Sequence, residues 1–147
     1  MIFWKTTSEI KDSKTGELHF KRFCYFSCKW FGIYKHIILR PDEDKHDHDH
    51  PWDFVSIVLE GSYSDMVNGW WSEHRKPLSI KFNKAEYHHK LMAVQGPKNR
   101  CVTLVITGPR RREWGYVTNK GKYDYKDGSV TWIDNNEYRR MKRNGDL

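Results

Sequence analysis

The stretch His46-Asp47-His48-Asp49-His50-Pro51-Trp52-Asp53-Phe54-Val55-Ser56-Ile57-Val58-Leu59-Glu60-Gly61 decides how the chain reads. Histidine and aspartate alternate, and in extended backbone side chains two apart leave the same face. His46, His48 and His50 therefore share one face, while Asp47 and Asp49 take the other. An exposed loop of this composition would bind metal only adventitiously. Here the run passes directly into the apolar segment 52–59, which must be buried. That burial holds His48 and His50 closer to the core than His46. Side chains on one strand face stand about 7 Å apart, which suits two metal ligands from this run better than three. Another strand must then complete the site. His88-His89 is the later histidine pair, at the start of a strand predicted over 87–94, and only one of the two can face inward.

Outward from this segment the same texture recurs: short runs rich in β-branched and aromatic residues, separated by Gly, Pro, Asn and Asp. Strands are predicted over 34–39, 52–59, 62–67, 78–82, 87–94, 101–107 and 113–118, with 20–33 holding one strand or two. Asn68-Gly69 is a hairpin signal, and Gln95-Gly96-Pro97-Lys98-Asn99 is a turn. The segment 134–141, with Asp134 or Asn135 as N-cap, is predicted to form a short C-terminal helix. Helices of crossover length are missing, so the pattern predicts an antiparallel all-β sandwich or barrel and argues against a doubly wound sheet.

The chain of 147 residues is long enough for one domain with a real hydrophobic core. Charged residues make up 31%, but seven Trp, eight Tyr and seven Phe oppose disorder. No apolar run is long enough to span a membrane, and the N-terminal residues lack the features of a secretion signal. Three cysteines, Cys24, Cys28 and Cys101, form no disulfide framework, which favours a reducing, cytoplasmic setting. The net charge of +7 includes Arg110-Arg111-Arg112. No nucleic-acid-binding signature accompanies it, so a solvated turn or an anion contact is the expected role.

The quoted stretches resemble the cupin superfamily. His48-Asp49-His50 followed by Glu60-Gly61 resembles the first cupin motif, and Ala85-Glu86-Tyr87-His88-His89-Lys90-Leu91 resembles the second, with His88 as the matching histidine. With 103–116 these segments look like small uncharacterised cupin-like proteins of bacteria and their viruses. The resemblance spans roughly 20–118 and implies a double-stranded β-helix, the cupin jelly roll, as a single domain over 1–147 with a less certain C-terminal extension. It implies a divalent metal on His48, His50 and His88, with iron favoured over zinc, manganese or nickel. The motif-one glutamate would fall at Phe54 or Val55, neither of which can bind a metal. The site is then three-histidine, uses Asp53 as a replacement, or holds no metal.

His88, Tyr116 and Asp53 are the candidate catalytic residues. Tyr25, Tyr34, Arg40, Tyr63 and Arg100 are further candidates to face a polar or anionic small molecule. The leading expectation is a metal-dependent, dioxygenase-like oxidoreductase. A non-catalytic ligand-binding or assembly cupin, and a metal-independent sugar-type isomerase or epimerase with His88 as base and a tyrosine as acid, are the alternatives. A homodimer through Phe3-Trp4 or the aromatic region 20–31 is also expected.

Overall fold

Alternating apolar and polar residues bury one face of each strand, and two sheets packed through those faces enclose the interior. The computed structural model describes residues 6–12, 14–42, 46–67, 71–118 and 131–146. In chain order the strands are β1 (Thr6–Lys11), β2 (Leu18–Ser27), β3 (Gly32–Ile38), β4 (Asp47–His48), β5 (Phe54–Glu60) and β6 (Ser62–Val67). They continue as β7 (Trp71–Arg75), β8 (Ile80–Asn83), β9 (His89–Gln95), β10 (Cys101–Thr107), β11 (Gly115–Thr118) and β12 (Thr131–Asp134), before the helix α1 (Asn135–Asn144). One six-stranded sheet has the order β1-β2-β3-β10-β5-β8 and the other β12-β11-β4-β9-β6-β7. Every pairing is antiparallel. The predicted all-β double-stranded β-helix with a short C-terminal helix is the fold observed.

Three strands went unanticipated, for a shared reason. β1 carries one aliphatic residue, Ile10, β7 reads Trp-Ser-Glu-His-Arg, and β12 has only four residues, so none advertises a core face. The Asn68-Gly69 turn lies outside the described residues, although β6 and β7 pair on either side of it with Val67 opposite Trp71. Phe3-Trp4 also lies outside them.

Ile38, Val58, Tyr63, Leu91 and Cys101 form the buried core between the sheets, with Phe20 and Val94 packed against it. Leu91 and Val94 both reach this core although they are three residues apart. A β-bulge explains it: Ser64 pairs with Ala93 but Asp65 pairs with Leu91, leaving Met92 as an extra residue on β9. The bulge reverses the alternation of β9 between its two halves.

Ten residues are too few for an isolated stable helix, so α1 depends on its caps and its packing. The Asp134 carboxylate accepts from the backbone N–H groups of Asn136 and Glu137, and Gly145 closes the other end at φ 77°. Tyr138 and Met141 face inward and join Tyr116, Ile133 and Trp114 in a second cluster. Burying each contributes about 2 kcal/mol.

Gly61 has φ +73°, and a Cβ there would lie 2.4 Å from the Arg100 carbonyl oxygen and 2.7 Å from that of Gln95. Gly16 has the same φ with open space around it. Gly16→Ala is therefore expected to cost only the left-handed backbone penalty of roughly 1–2 kcal/mol. Gly61→Ala should cost about 1–3 kcal/mol more through the backbone clash. Urea denaturation of the two variants measures the difference, and equal losses would refute the clash.

Candidate metal centre

Two residues of β4 and the two that follow it set the inner wall of the second sheet. His48 pairs with Tyr116 of β11 on one side and with His89 of β9 on the other. His50 is placed by its own backbone N–H, which donates to the Ala85 carbonyl at 3.0 Å. Ring nitrogens of His48, His50 and His89 lie within 4.8 Å of one another. Nε2 of His50 and Nε2 of His89 are 3.0 Å apart. That separation is a hydrogen-bond distance between the two rings, and both nitrogens would be within reach of a single ion.

The electrostatics differ within the trio. Burial pushes the His50 imidazole well below its ordinary pKa, and the neighbouring His48, His89, Arg22 and His36 push it the same way. A neutral ring is the form that binds metal. Burial also opposes charge on His89, but Asp65, joined by Asp42 and Asp47, outweighs it and raises that pKa. Asp65 Oδ1 lies 3.0 Å from His89 Nδ1, the outer-shell carboxylate arrangement that fixes the ring and leaves Nε2 for an ion. Asp42 Oδ2 stands 3.8 Å from His48 Nδ1 and also accepts from the Leu91 backbone N–H at 2.9 Å.

His88 is a correction. Because Met92 is inserted into β9, His89 rather than His88 shares the inward face with Leu91. The His88 ring points to the opposite face, with Nδ1 3.6 Å from the buried Asp47 carboxylate. There it lines an outer cleft of about 300 Å³ with Asp49, Glu86, Arg112, Val117 and Trp132. Tyr116 is on the inner side, its ring 6.2 Å from that of His48 and stacked on Tyr138 at 3.7 Å. His88 and Tyr116 therefore stand on opposite faces of one sheet.

Asp53 is engaged away from the trio. Its Oδ1 accepts from the Ala85 backbone N–H at 2.7 Å and from Arg111 Nη2 at 2.7 Å. The Arg111 guanidinium, helped by the Ala85 N–H, holds the Asp53 carboxyl below its usual range. Of the two positions at which a motif carboxylate is expected, Phe54 and Val55, Phe54 packs its ring edge-on against His50 at 4.7 Å. Asp49, between the two ligand candidates, faces outward at 2% exposure. It accepts from the Gly115 N–H at 2.7 Å and from Trp132 Nε1 at 2.8 Å, and it pairs with Arg112 at 2.8 Å. The arginine triple is thus occupied by carboxylates: Arg110 with Glu113, Arg111 with Asp53 and Glu86, and Arg112 with Asp49. His46 sits at the rim, Nδ1 3.1 Å from the Tyr138 hydroxyl.

Of the substrate-facing candidates, Tyr34 is on the inner face of β3, beside Arg22 and His36. Tyr63 belongs to the core. Tyr25 is exposed, Arg40 pairs with Glu17 at the surface, and Arg100 pairs with Glu60. Asp65, Arg22 and His36 are interior polar residues that the sequence reading missed, and His89 is the member of the later histidine pair that it passed over for His88. Counting back by two from Leu91 would have found His89, and counting on by two from Phe20 would have found Arg22.

Arg22 Nε donates to His36 Nε2 at 3.2 Å, which requires a neutral imidazole. Burial, aided by the Arg22 charge, pushes the His36 pKa down to about 3 from 6.5. Between those two values the unfolded chain binds a proton that the folded protein refuses. Stability is therefore lost as pH falls from 6.5 towards 3, and above 6.5 the residue contributes no pH dependence. His36→Gln keeps an acceptor for Arg22 and should flatten this acid limb by up to about 1 kcal/mol per pH unit. Denaturant titrations at pH 7, 5.5 and 4.5 measure it, and an unchanged slope would contradict the assignment.

No protein-family profile and no curated protein matches the chain. Among solved structures it is similar to FeII HppE, with TM-score 0.56 and 11% identity over 70% of this chain and 56% of that one. It is also similar to the DMSP lyase DddQ from Ruegeria pomeroyi DSS-3, with TM-score 0.52 and 15% identity over 73% and 56% of the two chains. A cupin-2 domain from Rhodospirillum rubrum matches with TM-score 0.55 and 10% identity, over 95% of this chain and 82% of that one. The chain spans just over half the length of HppE and of DddQ. At these identities the likeness is one of fold, and it coincides with the sheet order and the inward histidines described above. Its double-stranded β-helix is thus the fold it shares with that cupin-2 domain.

Proposed function

We propose that this protein is a metal-dependent cupin oxidoreductase that holds one divalent ion on His48, His50 and His89 and acts on a small polar or anionic molecule. The observation that carries the reading is the convergence of three interior imidazoles, one of them backed by a buried carboxylate. The donor set fits a first-row transition metal, because neutral nitrogen ligands suit iron, zinc, nickel and copper, and oxygen ligands are absent from the described cluster. Similarity to an iron(II)-bearing cupin supports iron. An iron centre would supply Lewis acidity and one-electron chemistry with oxygen, the basis of the dioxygenase-like reading.

The chain's own residues do the remainder. His50 arrives neutral through burial, so it needs no deprotonation before binding. Asp65 orients the His89 ring and increases its basicity. Phe54 takes the place of a carboxylate ligand, so three neutral rings leave the full charge of the ion uncompensated and favour an anionic partner. Pairing of two copies through the exposed Trp30 and Phe31 is part of the same proposal.

Elemental analysis of untagged protein reconstituted with iron(II), zinc or manganese should find close to one ion per chain. His89→Ala should lose it, and His88→Ala should keep it. Retention in His89→Ala together with loss in His88→Ala would overturn the ligand assignment. Asp65→Asn should bind the ion about 10–100-fold more weakly while still folding. Competition with a chromogenic chelator measures this, and an unchanged affinity would remove Asp65 from its orienting role.

A further inference from the structure

Arg22 lies on the inner face of the first sheet, and among the described residues no carboxylate pairs with it. Its neighbours two residues away, Phe20 and Cys24, are core-facing. The guanidinium sits over the Phe20 ring at 5.9 Å and the Tyr34 ring at 5.4 Å, and its Nε donates to His36. Three contacts therefore fix the plane of the fork. The Nε hydrogen bond leaves the two terminal nitrogens available for a bidentate partner.

The register sets Arg22 opposite the histidine trio. Phe20 and Leu91 pack in one core cluster, each from its own sheet. One step along β2 from Phe20 is Arg22, and one step back along β9 from Leu91 is His89. Both steps lead towards the same end of the barrel. β2 runs from Phe20 to the Ser27–Gly32 pair, Gly32 is opposite Thr107, and Thr107 is opposite Phe54. The Phe54 ring touches His50, and His50 touches His89. Packed sheets stand about 10 Å apart, so the fork and the imidazoles project towards each other across the same end of the interior. The Arg22 charge is close enough to act on His50.

A partly buried cation without a counter-charge is costly, and proteins retain one where a ligand supplies the missing anion. Arg75 and Lys81, by contrast, each have a carboxylate partner in Glu73, which they share. We propose that Arg22 is the anchor for an oxyanion group, carboxylate or phosphate, of the molecule that occupies the space between β2 and His48, His50 and His89. This deepens the metal-centre reading by naming the substrate class. One end of an anionic small molecule is gripped by the Arg22 fork, and its reactive end lies at the histidines. His36 is a positioning residue that holds the fork through its unprotonated Nε2.

The test is calorimetric titration of the full chain with sodium phosphate in one arm and sodium acetate in the other, with and without reconstituted zinc. At least one anion should saturate a single site, and the stronger arm identifies the group. Arg22→Gln should weaken it by about tenfold or more, with metal content unchanged. Arg22→Lys, which keeps the charge and loses the fork, should weaken it less. Unaltered affinity in a folded Arg22→Gln variant, or no binding of either anion to the wild-type protein, would overturn the anchor. Should Arg22→Gln fail to fold, unaltered affinity in Arg22→Lys would overturn it equally. A wild-type protein that takes up no metal would refute the metal centre alone, since the Arg22 effect on anion binding in the metal-free arm still decides the anchor.

Discussion

β4 is two residues long, and its few ladder bonds do not by themselves fix an imidazole to the tolerance that metal coordination demands. The positioning comes from the alternation of the segment around it. Each inward histidine of this segment has an outward aspartate beside it, and both aspartates are buried. Asp49 accepts two N–H groups and an arginine, while Asp47 is buried against His88. Arg111 clamps Asp53 and Glu86, which adds a third fastening just downstream. Charge on the outside of the sheet thus holds the imidazoles on the inside.

Within the barrel the polar residues divide by sheet. Histidines and Asp65 come from the second sheet, and Arg22, His36 and Tyr34 come from the first. Below them lies the apolar cluster of Ile38, Val58, Leu91 and Cys101, which closes one end of the interior. A small molecule entering this space would meet a nitrogen-rich wall on one side and a fixed guanidinium on the other.

The barrel itself was legible because β3, β5, β6 and β10 are short apolar or alternating runs with Gly or Pro at or near their ends. His48 and His50 were legible for the same reason: they run directly into β5. The third ligand position was not, because sequence alone does not show a bulge. Counting by two from Val94 puts His88 inside, whereas counting by two from Leu91 puts His89 inside. Only the pairing with β6 reveals Met92 as the extra residue that separates the two counts. Arg22 was hidden differently. It sits among lysines and aromatics on a strand whose outer face is equally basic, so its unmatched charge is visible only once β2 lies across from β9.

The Asp49 side chain has a consequence for how the ends of the chain communicate. Trp132 precedes α1, and its indole donates to a carboxylate flanked on both sides by histidines of the trio. Any event that tightens or loosens the segment 48–50 must alter the surroundings of that indole, and by thermodynamic reciprocity the seating of the C-terminal strand must alter affinity at the histidines. The protein thereby carries an intrinsic fluorophore wired to its centre, placed on the outer face where the optical signal arises without intruding on the chemistry.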